Sequence, residues 1–266
     1  MANILDQIVA HKRKEISENK SLYPVKLLEQ SIFFPSASVS LKKYIQREDK
    51  TGIIAEFKRK SPSKGTINAH ASVERTTIGY MQAGASALSV LTDKQFFGGS
   101  SEDLKTVRKF NFCPILRKDF ILDEYQIIEA KSIGADAILL IAAILTPEET
   151  RYLATFAHSL GLEVLLEVHD EEELEAHLES GADLVGVNNR NLKTFEVTLD
   201  ISKRLADRIP SGVVGVSESG IVSPGDIAEL KKYGYEGFLI GENFMKHSRP
   251  EEEAKIFMDE LRRHEK

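Results

Sequence analysis

Short runs of apolar residues recur along the chain, and most end in polar residues. Eight of these runs are rich in Ile, Val and Leu, which is typical of parallel strands buried on both faces. They lie at residues 53–57, 87–91, 113–117, 137–142, 163–168, 184–188, 213–217 and 237–241. Amphipathic stretches of helical length separate them, for example at residues 73–83, 124–133, 147–160, 171–179 and 224–233. Strand and helix therefore alternate eight times.

Glycines punctuate this alternation at regular distances. Gly84, Gly134, Gly181 and Gly234 each stand where a helix is expected to end, a position that favours glycine because the backbone can turn left-handed there. Successive members are 50, 47 and 53 residues apart, which is about two strand–helix units per interval. This quasi-repeat favours an α/β fold of the closed (β/α)8 TIM barrel type over an open doubly wound sheet.

The first 51 residues do not follow the alternation. Ile4, Leu5, Ile8, Val9 and Ile16 are helically spaced among charged residues, and a connector rich in Ser, Pro and Phe follows at residues 31–40. We therefore divide the chain into an N-terminal helical extension that packs on the barrel, residues 1–51, and a (β/α)8 barrel catalytic domain, residues 52–266. Two interpretations of the extension remain open: a helix that covers the core, or a lid that places Phe33 and Phe34 against a substrate.

Composition narrows the class of partner. The 35 basic and 41 acidic residues give a net charge of -6, so the chain lacks the basic surface of a nucleic-acid binder. No apolar run approaches the roughly 18 residues of a membrane span. The single cysteine, Cys113, lies in an apolar stretch and is expected to be a small buried hydrophobe, which fits a reducing, cytoplasmic setting.

Polar residues at the strand ends indicate where the chemistry lies. A parallel barrel gathers the carboxyl ends of its strands on one face, so groups far apart in sequence converge there. These ends carry Glu56 and Lys58, Lys118, Glu167, Asn188 and Arg190, and Glu218. A Glu56–Lys58 pair by itself favours a structural ion pair, but carboxylates and lysines gathered in one mouth should shift one another's pKa values, as proton-transfer catalysis requires.

Two later turns are candidates for phosphate binding. Ser219 and Gly220 follow the seventh strand, and Gly241 and Glu242 follow the eighth, where a barrel commonly holds a substrate phosphate. Ordinary tight turns are the alternative, and Glu242 suits the site only if its carboxylate points away from the phosphate. The seven histidines show no metal-ligand spacing, and neither a nucleophile-elbow motif nor a dinucleotide fingerprint is present. We therefore expect neither a metal nor a cofactor.

Several motifs together resemble the indole-3-glycerol phosphate synthase family, barrel enzymes of tryptophan biosynthesis. The resemblance covers nearly the whole chain, including the extension. It rests on the pattern Ile4-Leu5, Ile8-Val9, Lys12 and Glu15, and on residues 54–63 (IAEFKRKSPS), 91–93 (LTD), 96–100 (FFGGS), 116–121 (LRKDFI), 167–169 (EVH), 186–192 (GVNNRNL), 217–221 (SESGI) and 239–245 (LIGENFM).

The resemblance implies a carboxy-lyase reaction without a cofactor. In it, 1-(2-carboxyphenylamino)-1-deoxyribulose 5-phosphate closes to indole-3-glycerol phosphate with loss of carbon dioxide and water. Lys118 would be the general acid, Glu167 a proton-transferring carboxylate, and Lys58, oriented by Glu56, a carboxylate ligand or second acid. The substrate would also contact Asn188, Arg190, Ser61, Glu218, Phe97, Phe120, Leu139 and Leu192, and its phosphate would contact Ser219, Gly220, Gly241 and Glu242.

Apolar residues are expected to line part of the substrate site. Phe97, Phe120, Leu139, Ile141, Leu192, Phe195 and Leu239 could surround an aromatic ring or simply pack in the core.

A phosphoribosylanthranilate isomerase would need an acid–base cysteine at the end of the first strand, where this chain has Glu56-Phe57-Lys58. A barrel that only binds a phosphorylated ligand would need neither an acid nor a base. We expect a monomer, because members of this family are often monomeric and no exposed apolar stripe stands out.

Overall fold

Eight parallel strands form a closed barrel. The computed structural model describes residues 4–191 and 194–264. The barrel strands are β1 Ile53–Phe57, β4 Ala87–Leu91, β5 Ile115–Lys118, β6 Ala137–Ile141, β7 Glu163–Val168, β8 Leu184–Asn188, β9 Val214–Glu218 and β10 Gly237–Ile240. They follow one another around the barrel in this order, and β10 pairs with β1 again. A small hairpin, β2 Lys60–Ser61 with β3 Gly65–Thr66, follows β1. The predicted (β/α)8 barrel is confirmed.

Helices surround the barrel and precede it. The α-helices are α1 Ile4–Leu22, α2 Val25–Leu28, α3 Leu41–Ile45, α4 Val73–Ala83, α5 Ser101–Phe110, α6 Glu124–Ile133, α7 Pro147–Ser159, α8 Glu171–Ala176, α9 Asp200–Leu205, α10 Pro224–Lys231, α11 Glu242–Met245 and α12 Pro250–His264. Short 3-10 helices lie at Ala142–Ile144 and Ala206–Arg208. Gly84 and Gly134 end α4 and α6 in the left-handed conformation, as expected. Helices α8 and α10 end several residues before Gly181 and Gly234, so there the predicted ends were too late.

Two apolar clusters hold the barrel together. One fills the layer between strands and outer helices and includes Phe57, Leu166 and Ile240. The other fills the barrel interior and includes Ile54, Leu116 and Leu165. Because alternate residues of a strand face the interior, the next inward positions toward the carboxyl ends are Glu56, Lys118 and Glu167. Cys113 is buried and unpaired beside the first cluster, as expected.

The segment before β1 runs from one end of the barrel to the other. Helix α1 crosses the mouth formed by the carboxyl ends of the strands, where Lys12 contacts Asp93 and Asp119. Helix α2 packs against α6. At the opposite end, α3 inserts Leu41 and Ile45 into the interior cluster and closes the barrel floor. The division of the chain after residue 51 remains a proposal.

Candidate active site

A cavity of about 540 Å³ lies at the mouth of the barrel. Every residue that we proposed for catalysis, substrate contact or phosphate contact lines it, apart from Leu192, which lies outside the described residues. Those lining residues are Glu56, Lys58, Ser61, Phe97, Lys118, Phe120, Leu139, Glu167, Asn188, Arg190, Glu218, Ser219, Gly220, Gly241 and Glu242. The barrel thus gathers groups from all eight strands or the loops that follow them.

Lys118 sits between two carboxylates at the centre of the cavity. It ends β5, whereas Glu167 and Glu218 lie near the ends of β7 and β9, so alternate strands supply the three groups. The Lys118 ammonium donates a hydrogen bond to Oε2 of Glu218, and its Nζ lies 3.2 Å from Oε2 of Glu167. Gly186 in β8 leaves the room that Glu218 occupies, because a Cβ atom there would lie 2.1 Å from Oε1 of Glu218.

The three groups shift one another's pKa values in different directions. Burial by itself would lower the pKa of Lys118, but the carboxylates of Glu218 and Glu167 outweigh burial and raise it above its usual range. Burial by itself would raise the pKa of Glu167, but the charges of Lys118 and His169 beside it hold it far below the ordinary value. Burial raises the pKa of Glu218 to about 7. The cation of Lys118 opposes this rise, and the negative charge of Glu167 adds to it.

These directions correct one expectation. The gathered groups were expected to shift one another's pKa values as proton transfer requires, which for a general acid such as Lys118 means toward neutrality. Instead, Lys118 is held as an ammonium, and Glu218 is the group whose pKa lies near neutrality. The reason is that two buried carboxylates stabilise the lysine cation by more than burial destabilises it.

Glu56 and Lys58 form the second charged pair of the cavity. Nζ of Lys58 lies 2.7 Å from Oε1 of Glu56, as expected for residues two apart on one face of a strand. Ser89 in the neighbouring strand donates to the other oxygen of Glu56 at 3.3 Å. Gly241 is required here, since a Cβ atom would lie 2.6 Å from Oε1 of Glu56. Glu56 is therefore a buried anchor, and Lys58 extends from it into the cavity.

The predicted anthranilate contacts lie beside this cluster. Asn188 donates to Oε1 of Glu167 at 3.2 Å. Arg190 lines the cavity, and its guanidinium lies 3.2 Å from Oε2 of Glu242. Lys64 approaches the other oxygen of Glu242 at 3.5 Å. The Glu242 carboxylate thus lies between two cations, whereas the phosphate prediction requires it to point away from the phosphate.

The two turns proposed for phosphate have different backbone geometries. Ser219 and Gly220 both have positive φ angles, 67° and 82°, and such a conformation at a non-glycine residue is uncommon and concentrates at functional sites. Gly220 is tightly enclosed, since a Cβ atom there would lie 2.6 Å from Cγ1 of Val197. Gly241 precedes helix α11 and lines the same cavity. Both turns therefore border one space.

Apolar side chains form the remaining wall and part of the roof. Phe97 and Phe120 have ring centroids 5.8 Å apart, and Leu139, Ile141, Phe195 and Leu239 also line the cavity. Ile4, Leu5 and Ile8 of α1 close the space from above, and the sequence reasoning did not identify them as site residues. Their helical spacing indicated a packed face but not what it packs on. Phe33, considered as a lid residue, instead lies beside Gly134 at the other end of the barrel.

Lys12 is a second feature to which the sequence analysis assigned no role, although it belongs to one of the motifs that carry the resemblance. Its side chain is fully buried, and its Nζ lies 2.8 Å from Glu15, 3.0 Å from Asp93 and 2.9 Å from Asp119. Ile8, Lys12 and Ile16 recur every four residues, which places Lys12 in the buried stripe of α1 and could have revealed it. Lys12 therefore ties α1 to the loops after β4 and β5.

Two further properties bear on the kind of site. Within residues 4–191 and 194–264, no group of three or more His, Cys, Asp or Glu side chains is arranged to hold a metal ion. In the same ranges, no helix has both the length and the apolar character needed to cross a membrane.

The fold and the location of the cavity define the class. Charged groups at the carboxyl ends of a closed parallel barrel are the arrangement of (β/α)8-barrel enzymes. Two solved structures share the fold: a thiamine phosphate pyrophosphorylase from Pyrococcus furiosus, with a TM-score of 0.59 and 17% identity, and a native KDPGal structure, with a TM-score of 0.58 and 16% identity. The matched residues make up 84% and 82% of this chain, respectively, and 96% of each of the two solved chains.

Comparison of sequences identifies the family within that class. The profile of the family described as indole-3-glycerol phosphate synthase matches residues 5–257. The indole-3-glycerol phosphate synthase of Bacteroides thetaiotaomicron is 50% identical over 258 residues, which are 97% of this chain and 98% of that protein. The synthase of Thermoanaerobacter pseudethanolicus is 45% identical over 243 residues, 91% of this chain and 92% of that protein. The chain belongs to the indole-3-glycerol phosphate synthase family.

Proposed function

We propose that this chain catalyses the indole-3-glycerol phosphate synthase reaction, a step of tryptophan biosynthesis. The substrate is 1-(2-carboxyphenylamino)-1-deoxyribulose 5-phosphate, and the products are indole-3-glycerol phosphate, carbon dioxide and water. The observation that carries the proposal is Lys118 held between Glu167 and Glu218 in the barrel mouth of a member of this family.

Ring closure needs a proton donor at the ketone of the substrate. The aromatic carbon that bears the carboxylate attacks the ketone, and a negative charge develops on the ketone oxygen. The Lys118 ammonium donates the proton, and its raised pKa does not prevent this because an alkoxide is a stronger base than an amine. Loss of carbon dioxide then leaves its electron pair in the ring system, and loss of the new hydroxyl as water completes the indole.

The carboxylates move the remaining protons. Glu167 stays ionised beside Lys118 and accepts a proton during ring closure or dehydration. Glu218, which we expected to contact the substrate, contacts Lys118 directly and has a pKa of about 7, so it can accept or return a proton near neutral pH. Lys58, oriented by Glu56, binds the substrate carboxylate or serves as the second acid.

The two ends of the substrate occupy opposite parts of the cavity. Asn188 and Arg190 hold the anthranilate moiety, and the ring packs on Phe97, Phe120 and Leu139 together with Leu192. The phosphate binds at the turns of Ser219 and Gly220 and of Gly241 and Glu242, where backbone N–H groups are donors. Ser61 lines the cavity near these loops and is a further polar contact for the substrate.

The test is turnover of the synthetic substrate by the purified full chain. The chain contains no tryptophan, so indole fluorescence reports product formation without a tryptophan background from the protein. We expect the wild type to form indole-3-glycerol phosphate, and Lys118→Ala to lower kcat by a factor on the order of 10² or more with the fold retained. Lys105→Ala, at an exposed lysine of α5, is the matched control. Binding of the substrate without turnover by the wild type would instead indicate a phosphate-ligand binder.

Two alternative functions agree less well with the site than the synthase reaction does. An isomerase of the phosphoribosylanthranilate type would need a reactive cysteine in the cavity, but Cys113 is buried just before β5, and burial raises the pKa of its thiol to about 12. A barrel that only binds a ligand would not need Lys118 between two carboxylates.

The state of the protein in the cell is part of the proposal. We propose that it acts as a monomer in the cytoplasm on a phosphorylated small molecule, without a cofactor and without nucleic-acid or membrane partners. The net charge of -6 supports the absence of a polyanion partner. Light scattering during size-exclusion chromatography tests the monomer, and a mass of twice 29.7 kDa would contradict it.

A further inference from the structure

His169 lies directly behind Glu167, outside the cavity. It follows β7, its side chain is only 11% exposed, and it does not line the cavity. Its Nε2 atom lies 3.3 Å from Oε1 of Glu167, and its Nδ1 atom lies 3.1 Å from Oε2 of Glu173. Each ring nitrogen therefore faces a carboxylate.

The imidazole is fixed from its far side by helix α8. Oε2 of Glu173 also accepts the backbone N–H of His169 at 2.8 Å. Asp170 caps the helix and accepts the backbone N–H of Glu173 at 2.9 Å. The capped helix thus positions the Glu173 carboxylate, which in turn orients the His169 ring.

The surroundings favour the doubly protonated ring. A neutral imidazole carries a proton on one nitrogen only, whereas an imidazolium carries one on each and so presents positive charge to both carboxylates. Burial by itself would lower the pKa of His169, but the carboxylates of Glu167 and Glu173 outweigh it and raise the pKa to about 10. The ring is therefore a cation at neutral pH.

The two carboxylate oxygens of Glu167 therefore have different neighbours. Oε1 faces His169 and accepts from Asn188 at 3.2 Å. Oε2 faces Lys118 in the cavity at 3.2 Å. With Oε1 held from behind, the carboxylate cannot rotate freely, and Oε2 stays directed at the space where the substrate would react.

We propose that His169, itself held by Glu173, is a positioning residue that keeps the Glu167 carboxylate ionised and aims its Oε2 atom at the substrate. The inference rests on the proposed function, since it assumes that Glu167 transfers a proton. Nothing in it requires His169 to contact the substrate.

The first experiment compares His169→Leu, His169→Gln and Glu173→Gln with the wild type in steady-state kinetics. Slight misplacement of a catalytic group costs about tenfold to a hundredfold in activity. We expect His169→Leu to lower kcat by that factor while KM changes little, and His169→Gln, which can still donate to Glu167, to recover part of the loss. His158→Gln is the matched control, because His158 pairs with Asp183 on the outer surface.

The pH dependence separates positioning from a merely structural role. The charged groups around Glu167 are Lys118 and Glu218 on the cavity side and His169 with Glu173 behind it. Removing the His169 cation raises the pKa of Glu167, so carbon-13 NMR of the carboxylate carbon should show Glu167 titrating at higher pH in both His169 variants than in the wild type. A wild-type titration of Glu167 in these variants, or an equal loss of activity and melting temperature with that titration unmoved, would overturn the inference.

A measurement without turnover covers the case in which a variant does not fold or the proposed reaction fails. Nitrogen-15 NMR of the imidazole in the wild type should show both nitrogens of His169 protonated at about pH 8, and Glu167→Gln should lower the pKa of the ring. A neutral ring at that pH, or no response to Glu167→Gln, would refute the inference. A wild type that shows the imidazolium but no turnover would refute only the proposed reaction and leave His169 as the residue that holds Glu167.

Discussion

Nζ of Lys12 lies 2.9 Å from Oδ1 of Asp119, the residue that directly follows Lys118. This contact links the N-terminal helix to the strand that carries the proposed general acid. Burial by itself would lower the pKa of Lys12, but the carboxylates of Asp119, Asp93 and Glu15 raise it above its usual range. Burial by itself would raise the pKa of Asp119, but the cations of Lys12 and Arg117 hold it far below its ordinary value. The roof of the cavity and the acid below it are thus held by one buried ionic cluster.

Replacing Lys12 should therefore destabilise the protein. In Lys12→Met, the carboxylates of Asp93 and Asp119 stay buried without their ammonium partner, and breaking such a buried pair typically costs about 3–5 kcal/mol. Urea unfolding should show this loss in the free energy of unfolding. The control is Lys14→Met on the same helix, where the side chain is 78% exposed. Equal stabilities of the two variants would show that the cluster contributes nothing.

Removing the Glu242 carboxylate should strengthen substrate binding. Glu242 lies between Arg190 and Lys64, so it occupies cations that a substrate anion would otherwise use. In Glu242→Gln we expect KM to fall about fivefold, the equivalent of roughly 1 kcal/mol from one half-buried charge, with kcat nearly unchanged. Steady-state kinetics and inhibition by inorganic phosphate measure this effect. A higher KM would mean that Glu242 instead holds Arg190 in its binding position.

Adding a methyl group at Gly186 should disturb the catalytic cluster without unfolding the barrel. The new Cβ atom would collide with the carboxylate end of Glu218 and lie 3.3 Å from Cδ1 of Leu165, and both of these are ends of side chains that can move. Displacing Glu218 from Lys118 should lower kcat by a factor on the order of 10 to 10², the range that small misplacements of catalytic groups produce. Gly225→Ala, where the nearest atom is 3.5 Å away, is the control. Wild-type kcat in Gly186→Ala would exclude a role for the Lys118–Glu218 contact.

Ionisation of Glu218 should make stability depend on pH. Its pKa rises from the ordinary 4.5 to about 7 on folding, so between these values the folded chain binds more protons than the unfolded chain, and stability falls as the pH rises. This difference in pKa between the unfolded and folded chain corresponds to a loss of at most about 3 kcal/mol in the free energy of unfolding. Glu218→Gln cannot ionise, so its free energy of unfolding should rise relative to the wild type between about pH 5 and pH 8.

Urea unfolding of both proteins at several pH values tests this prediction. Glu102→Gln removes a surface charge from the exposed side of α5 and is the matched control. A difference between Glu218→Gln and the wild type that stays constant, or that falls with pH, would contradict a raised pKa for Glu218.

The alternation of strands and helices could be predicted because it is a local property of the chain. Parallel strands buried on both faces are continuous apolar runs, and β6 at Ala137–Ile141 or β8 at Leu184–Asn188 lies where such a run predicted it. The pairing of Glu56 with Lys58 is equally local, since residues two apart share one face of a strand. The ends of α8 and α10 were predicted less well, because those helices stop without a glycine at their last turn.

The partners of the charged groups were decided by the tertiary structure. Lys118 meets carboxylates 49 and 100 residues away, and Lys12 meets one that is more than 100 residues away. Closure of the barrel and the path of α1 across its mouth set these distances. The pKa of Lys118 rises for the same reason, since burial and the two carboxylates act in opposite directions and only their geometry decides which prevails. The sequence by itself determined which groups reach the mouth of the barrel, because strand period and strand ends are local; only the closed fold decided which of them touch, because those contacts join residues that the chain keeps far apart.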